Sequence, residues 1–119
     1  MGLTDRARQV SDDRLPTHVW VGAILRRCST EGVPATVVHR GERMGGTVMV
    51  KVFQAGAGCR LMGQIRNIDG RLGWYRAHKE ELVPDPEADA LVARAVSRDP
   101  DLWVVEVESR DGSNPFEEM

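Results

Sequence analysis

Between Thr47 and Lys79 the chain reads as three extended runs, TVMVKVFQ, CRLMGQIRNI and RLGWYRAHK, parted by AGAG and by Asp69-Gly70. No other stretch narrows the choice of folds so far. β-branched and aromatic side chains at alternating places pack well on a pleated surface and lose freedom in a helix. Short glycine-marked connections join antiparallel neighbours. The stretch therefore predicts an antiparallel meander of three strands, with a tight hairpin at Asp69-Gly70, where positive backbone angles are tolerated.

The alternation also assigns faces. Val48, Val50 and Val52 oppose Thr47, Met49, Lys51 and Phe53, so neither side of the first run is cleanly polar and the strand is expected to be central. Cys59, Leu61, Gly63 and Ile65 share one face of the second run; Arg60, Met62, Gln64 and Arg66 share the other. The third run groups Leu72, Trp74, Arg76 and His78 against Gly73, Tyr75 and Ala77, which leaves open whether Trp74 or Tyr75 faces the core.

Helical signals flank the meander. Thr17 is a candidate cap, Trp20, Ile24 and Cys28 recur at four-residue steps beside Val21 and Leu25, and Gly32 with Pro34 marks the stop. ATVVHR, residues 35 to 40, then alternates as a short strand, and the glycine-rich loop 41–46 reads as an ordinary turn, since a strand follows it where a phosphate-cradling loop would need a helix. Past Leu82, Asp85 is a candidate cap with Pro86 at the first helical position. Leu91, Val92, Ala95 and Val96 form an apolar stripe that ends at Asp99-Pro100. Leu102 to Glu108 supplies a fifth strand, with Trp103, Val105 and Val107 inward. The expected fold is α+β: a mainly antiparallel β-sheet with two packed helices, in the order α-β-β-β-β-α-β, both helices covering one face. Val50, Leu61, Ile65, Leu91, Trp103 and Val105 are expected to be buried. A flexible leader over 1–14, a single domain over 15–112 and a polar tail over 113–119, with Phe116 an isolated apolar group, complete the reading.

A chain of 119 residues closes one core and not two of comparable size. No apolar run is long enough to cross a bilayer, and the first fourteen residues lack the basic start and apolar middle of a secretory signal, so the expected compartment is the cytoplasm and no membrane is engaged. Cys28 and Cys59 lie far apart and outside any CxxC arrangement, which makes them core side chains rather than a redox pair or metal ligands. His18, His39 and His78 lack metal-ligand spacing, and no nucleophile elbow, Walker loop or HExxH segment occurs. No cofactor, metal or catalytic set is expected.

Charge is unevenly spread. Residues 17–80 carry ten basic and four acidic side chains, residues 81–119 three basic and eleven acidic. Such a basic middle can guide an anionic ligand or a complementary protein surface, or be neutralised by the acidic end itself. The candidate anion-binding set is Arg60, Arg66 and Arg76 with Lys51, and with Trp74 placed to stack on a base.

Taken in order, WVGAILRR, the VMVKV strand, DGRLGWYR, PDPEADALVARAVSRDPDLWVVEVE and RDG resemble an uncharacterised alphaproteobacterial family of unknown function, DUF1491, over about residues 15 to 112. The resemblance implies a bacterial protein with one compact domain and carries no activity, cofactor or catalytic residue with it. The functional expectation is a non-enzymatic protein-interaction or structural module, with nucleic-acid or nucleotide binding through the basic sheet face as the alternative. The expected partners are an unidentified protein and a second copy, the latter through an uncovered sheet edge or face.

Overall fold

The elements run α1 (Thr17–Thr30), β1 (Ala35–His39), β2 (Val48–Gln54), β3 (Gly58–Arg66), β4 (Leu72–Arg76), α2 (Asp85–Arg98), β5 (Trp103–Glu108) and a closing 3-10 turn, Pro115–Glu118. This computed structural model describes residues 15–118, and the leader expected over 1–14 lies outside them. The α+β class and the order of helices and strands are those read from the sequence. The meander is also present, with β2 antiparallel to β3 and β3 to β4.

β5 returns to the interior of the sheet and not to its edge. The strand order is β1-β5-β2-β3-β4, with β5 antiparallel to β1 and parallel to β2. β2 is central, as its two apolar faces require. On one face, Val48, Val50, Val52, Trp103, Val105 and Val107 pack with Val21, Ile24 and Cys28 of α1. On the other, Met49, Leu61 and Val104 pack with Val92 and Ala95 of α2. The helices thus lie on opposite faces, and the molecule has three layers where one covered face was expected. A strand pair that is apolar at nearly every position must be covered on both sides, and β2 and β5 are buried at odd and even residues alike.

Three local expectations are corrected. Thr17 does not cap α1; the N-cap is Pro16, and the first helical N–H groups of Thr17 and His18 donate to the carbonyls of Met44 and Arg43. The Thr17 hydroxyl donates instead to Gly46 O at 2.8 Å, fixing loop 41–46 to the helix end. Pro84, not Asp85, is the N-cap of α2, which frees the Asp85 carboxylate for another partner. The β3–β4 hairpin is a longer loop than the two-residue turn expected. Asn67 Oδ1 accepts from Asp69 N and Arg71 N, Gly70 N donates to Asn67 O, and Gly70 alone takes the positive φ, at 82°.

Burial follows the expectation at Val50, Leu61, Trp103 and Val105 and departs from it at two places. Ile65 is 54% exposed, because β3 runs on beyond the part of the sheet packed by α2. Leu91 is half-buried at the side of its helix. Phe116, within the expected tail, is 1% exposed and meets the Trp20 and Trp74 rings edge-on, at centroid distances of 5.4 and 6.4 Å. The core therefore extends past the boundary expected at residue 112. Trp74 is the ring turned to this core, while Tyr75 lies across Gly63 on the opposite face and is 46% exposed.

Candidate functional site

Lys51 does not join the arginines with which the sequence grouped it. Opposite Leu61 in the β2–β3 ladder, it points to the α2 side, whereas Arg60 lies opposite Val52 and points to the α1 side. The three-residue loop Ala55–Ala57 sets this register, so parity about the loop is the signal that could have separated them. Lys51 is buried at the foot of α2, where its Nζ contacts the carboxylates of Asp85, Asp89 at 2.7 Å and Glu106 at 3.5 Å. Burial alone would depress the ammonium pKa; the hydrogen bonds to Asp85 and Asp89 and the nearby Glu106 charge outweigh it and raise the pKa above its ordinary value. The same hydrogen bond holds Asp85 below the usual carboxylate range. Cys59 donates to Asp85 Oδ1 at 3.6 Å, and burial pushes its thiol up to about 11 against the opposing charge of Lys51. Three carboxylates from the acidic end thus neutralise one cation of the basic middle. The spacing within the sequence hid these partners, which come from α2 and β5.

The other expected anion-binding residues are placed separately. Arg60 is half-buried beside Gly112, with its Nε enclosed and without a hydrogen-bond partner. Arg66 is exposed and donates to Gly70 O. Arg76, also exposed, curls over the loop after β4 and donates to His78 O and Lys79 O, both at 3.1 Å. Trp74 shares their face, but its ring packs against Phe116. Arg66 and Arg76 are therefore the two members of the set that face solvent on one side of the sheet.

The histidines are engaged with the main chain. His78 Nε2 accepts from Leu61 N at 3.1 Å while Nδ1 lies 2.7 Å from Glu80 O, an arrangement that suits the neutral ring with its proton on Nδ1. His39 Nδ1 lies 2.8 Å from Leu102 O, and His18 Nδ1 lies 3.1 Å from Arg43 O. Each ring braces a loop against a strand or helix. Among the described residues, no group of His, Cys, Asp and Glu is arranged to hold a metal ion.

The β4 end of the molecule is open. Among the described residues β4 pairs only with β3. Ala77 N donates to Leu61 O and Asn67 N donates to Arg71 O. Hydrogen-bonded pairs alternate along an antiparallel ladder, so Gly73 and Tyr75 turn their main chain to β3, while Leu72, Trp74 and Arg76 turn theirs outward. Ile65, Tyr75 and the wholly exposed Ile68 flank this edge. Beside it, Leu15, Trp20, Met44 and Leu72 line a cavity of about 170 Å³ with Gln64 and Arg66. The Trp20 indole N–H is buried and has no partner. Sequence reasoning missed the cavity because Leu15, Met44 and Leu72 are brought together only by the docking of loop 41–46 on α1.

The model for proteins of unknown function (DUF1491) matches residues 15–117 of this chain. A DUF1491 protein from Caulobacter crescentus, known as a crystal structure, is 38% identical, with 86% of this chain and 94% of the other covered and a TM-score of 0.75. An NMR structure of a DUF1491 family protein from the same organism shares 37% identity over 85% and 91% of the two chains, with a TM-score of 0.75. A protein from A. tumefaciens solved in solution is 26% identical over 81% and 86%, with a TM-score of 0.67. Comparison with curated proteins gives no match. Matched over nearly its whole length, the chain belongs to the DUF1491 family.

Proposed function

We propose that this domain is a non-enzymatic protein-interaction module of the cytoplasm that works through the β4 end of its sheet. The observation that carries this reading is the β4 edge, unpaired among the described residues, with Ile65, Ile68 and Tyr75 exposed beside it. Open edges attract further strands, and apolar side chains gathered at one place favour a protein surface. The internal employment of the three imidazoles and of Lys51 supports binding over acid–base chemistry. The two cysteines, buried and unbridged, suit a reducing compartment. Among the described residues no helix is long and apolar enough to cross a membrane.

Nucleic-acid binding is the second reading, favoured by Arg66 and Arg76 being exposed on one face. Against it, the aromatic ring meant for base stacking is occupied by Phe116, and Lys51 is neutralised on the far side. A photo-crosslinking side chain placed at Ile68 in growing cells should capture a defined partner that the same group at Val38, exposed on the opposite edge strand, does not. Equal capture at both places overturns the reading. Anisotropy with mixed-sequence RNA and DNA tests the alternative, which requires binding that weakens with salt and is lost in the Arg60→Gln/Arg66→Gln/Arg76→Gln protein.

A further inference from the structure

The chemistry along the β4 edge specifies its occupant further, granted the interaction reading above. The two faces of the edge differ. On the α1 side stand Leu72, Trp74 and Arg76 of β4, with Arg66 opposite Leu72 on β3; on the α2 side stand Ile65 and Tyr75, with Gly73 between them leaving a notch next to Ile65. Arg71 and Lys79 lie at the two ends, and over residues 66–79 Asp69 is the one acidic residue against these four cations. A strand added here presents its side chains alternately to the two faces. Residues on its α1 side meet the Arg76 guanidinium beside Leu72 and Trp74, and those on its α2 side meet an apolar shelf.

We infer that the free edge of β4 takes up an extended segment of a partner protein in which acidic and apolar residues alternate, as a sixth strand of the sheet. Main-chain bonds to the outward N–H and C=O groups of Leu72, Trp74 and Arg76 hold it, and the alternation sets its register. A second copy paired through the same edge would bring like charges together, so charge complementarity selects a different partner. Nucleic acid would match the cations but not the ladder of main-chain donors and acceptors.

The test uses the full chain and a labelled peptide, Glu-Val-Glu-Val-Glu-Val-Glu, with its Lys-Val counterpart as control. The acidic peptide should bind, weaken as salt rises, and shift the amide resonances of Leu72, Trp74 and Arg76 while protecting them from exchange. Arg76→Pro removes one outward donor without breaking a bond to β3 and should weaken binding about tenfold beyond the loss in Arg76→Gln, which removes the same guanidinium but keeps that donor. Equal affinity of the two variants, shifts confined to another surface, or equal binding of the Lys-Val peptide overturns strand addition at this edge. So does peptide-free dimerisation that buries the same amides, which would make a second copy the occupant. If the acidic peptide fails to bind while the Ile68 crosslink still captures its partner, strand addition falls and the interaction module stands; loss of that crosslink removes the module itself.

Discussion

A side chain at Gly41 or Gly46 would overlap the carbonyl oxygen of Asp101, so loop 41–46 can approach the turn before β5 only because these positions lack a Cβ. The approach allows Glu42 N to donate to Asp101 O at 2.9 Å and Trp103 Nε1 to donate to Glu42 O at 2.7 Å. Gly45, whose added Cβ would meet nothing nearer than Glu42 Oε1 at 3.7 Å, has no such constraint. Chemical denaturation should therefore show Gly41→Ala losing about 1–3 kcal/mol or more, with Gly45→Ala well under that. The Lys51 cluster predicts a pH dependence. Cys59 has its pKa raised by burial from about 9 to about 11, so the unfolded chain releases this proton first, and stability falls as pH climbs through that interval. Lys51, also raised, contributes stability that is complete below its unfolded value near 10.5 and is lost as pH rises toward its folded value. Asp85 is depressed, and its contribution is lost only as pH falls below the usual carboxylate range. Urea titrations from pH 7 to 11 should show decline beginning near pH 9 in the wild type and a shallower decline from the same onset in Cys59→Ala, where the buried Cys28 thiol, also raised, still titrates. An unchanged slope between pH 9 and 11 would show that the Cys59 thiol does not contribute.

β3 shows how one element can be half core and half surface. Leu61, enclosed between β2 and α2, should cost about 2–5 kcal/mol when cut to alanine, whereas Ile65 on the same face should cost less than about 1 kcal/mol, as measured by denaturant midpoints. The alternation that grouped these two residues was correct about the face and silent about where α2 stops covering it. The closing 3-10 turn makes the complementary point. Its Phe116 fills the space between Trp20 of α1 and Trp74 of β4, so Phe116→Ala should lose about 3–5 kcal/mol, and deletion of residues 113–119 at least as much. A truncated protein as stable as the full chain would place the ring outside the cooperative core. A single phenylalanine in a polar run carries no period, so its burial was not readable from RDGSNPFEEM.

Across the whole molecule, stability should follow depth in the sheet. β2 and β5 each have neighbours on both sides and helices on both faces, while β1 and β4 are edges, β1 with a bulge between Val37 and His39. Amide exchange should be slowest in β2 and β5 and fastest in β4, and protection of β4 equal to β2 would mean that its edge is already paired in the isolated protein. The elements and their order were fixed by the chain itself, because alternation, helical spacing and glycine or proline punctuation are local preferences written in neighbouring residues. Even the central place of β2 was legible in VMVKV, which is apolar on both sides at all but one position. The parallel insertion of β5 between β1 and β2, the helices on opposite faces, the three carboxylates around Lys51 and the open β4 edge came only with the tertiary structure. Each depends on which distant segments share a layer, and that choice is made by the total apolar surface buried when the sheet closes between two helices, a sum over residues as far apart as Trp20 and Phe116 that no short window of sequence contains.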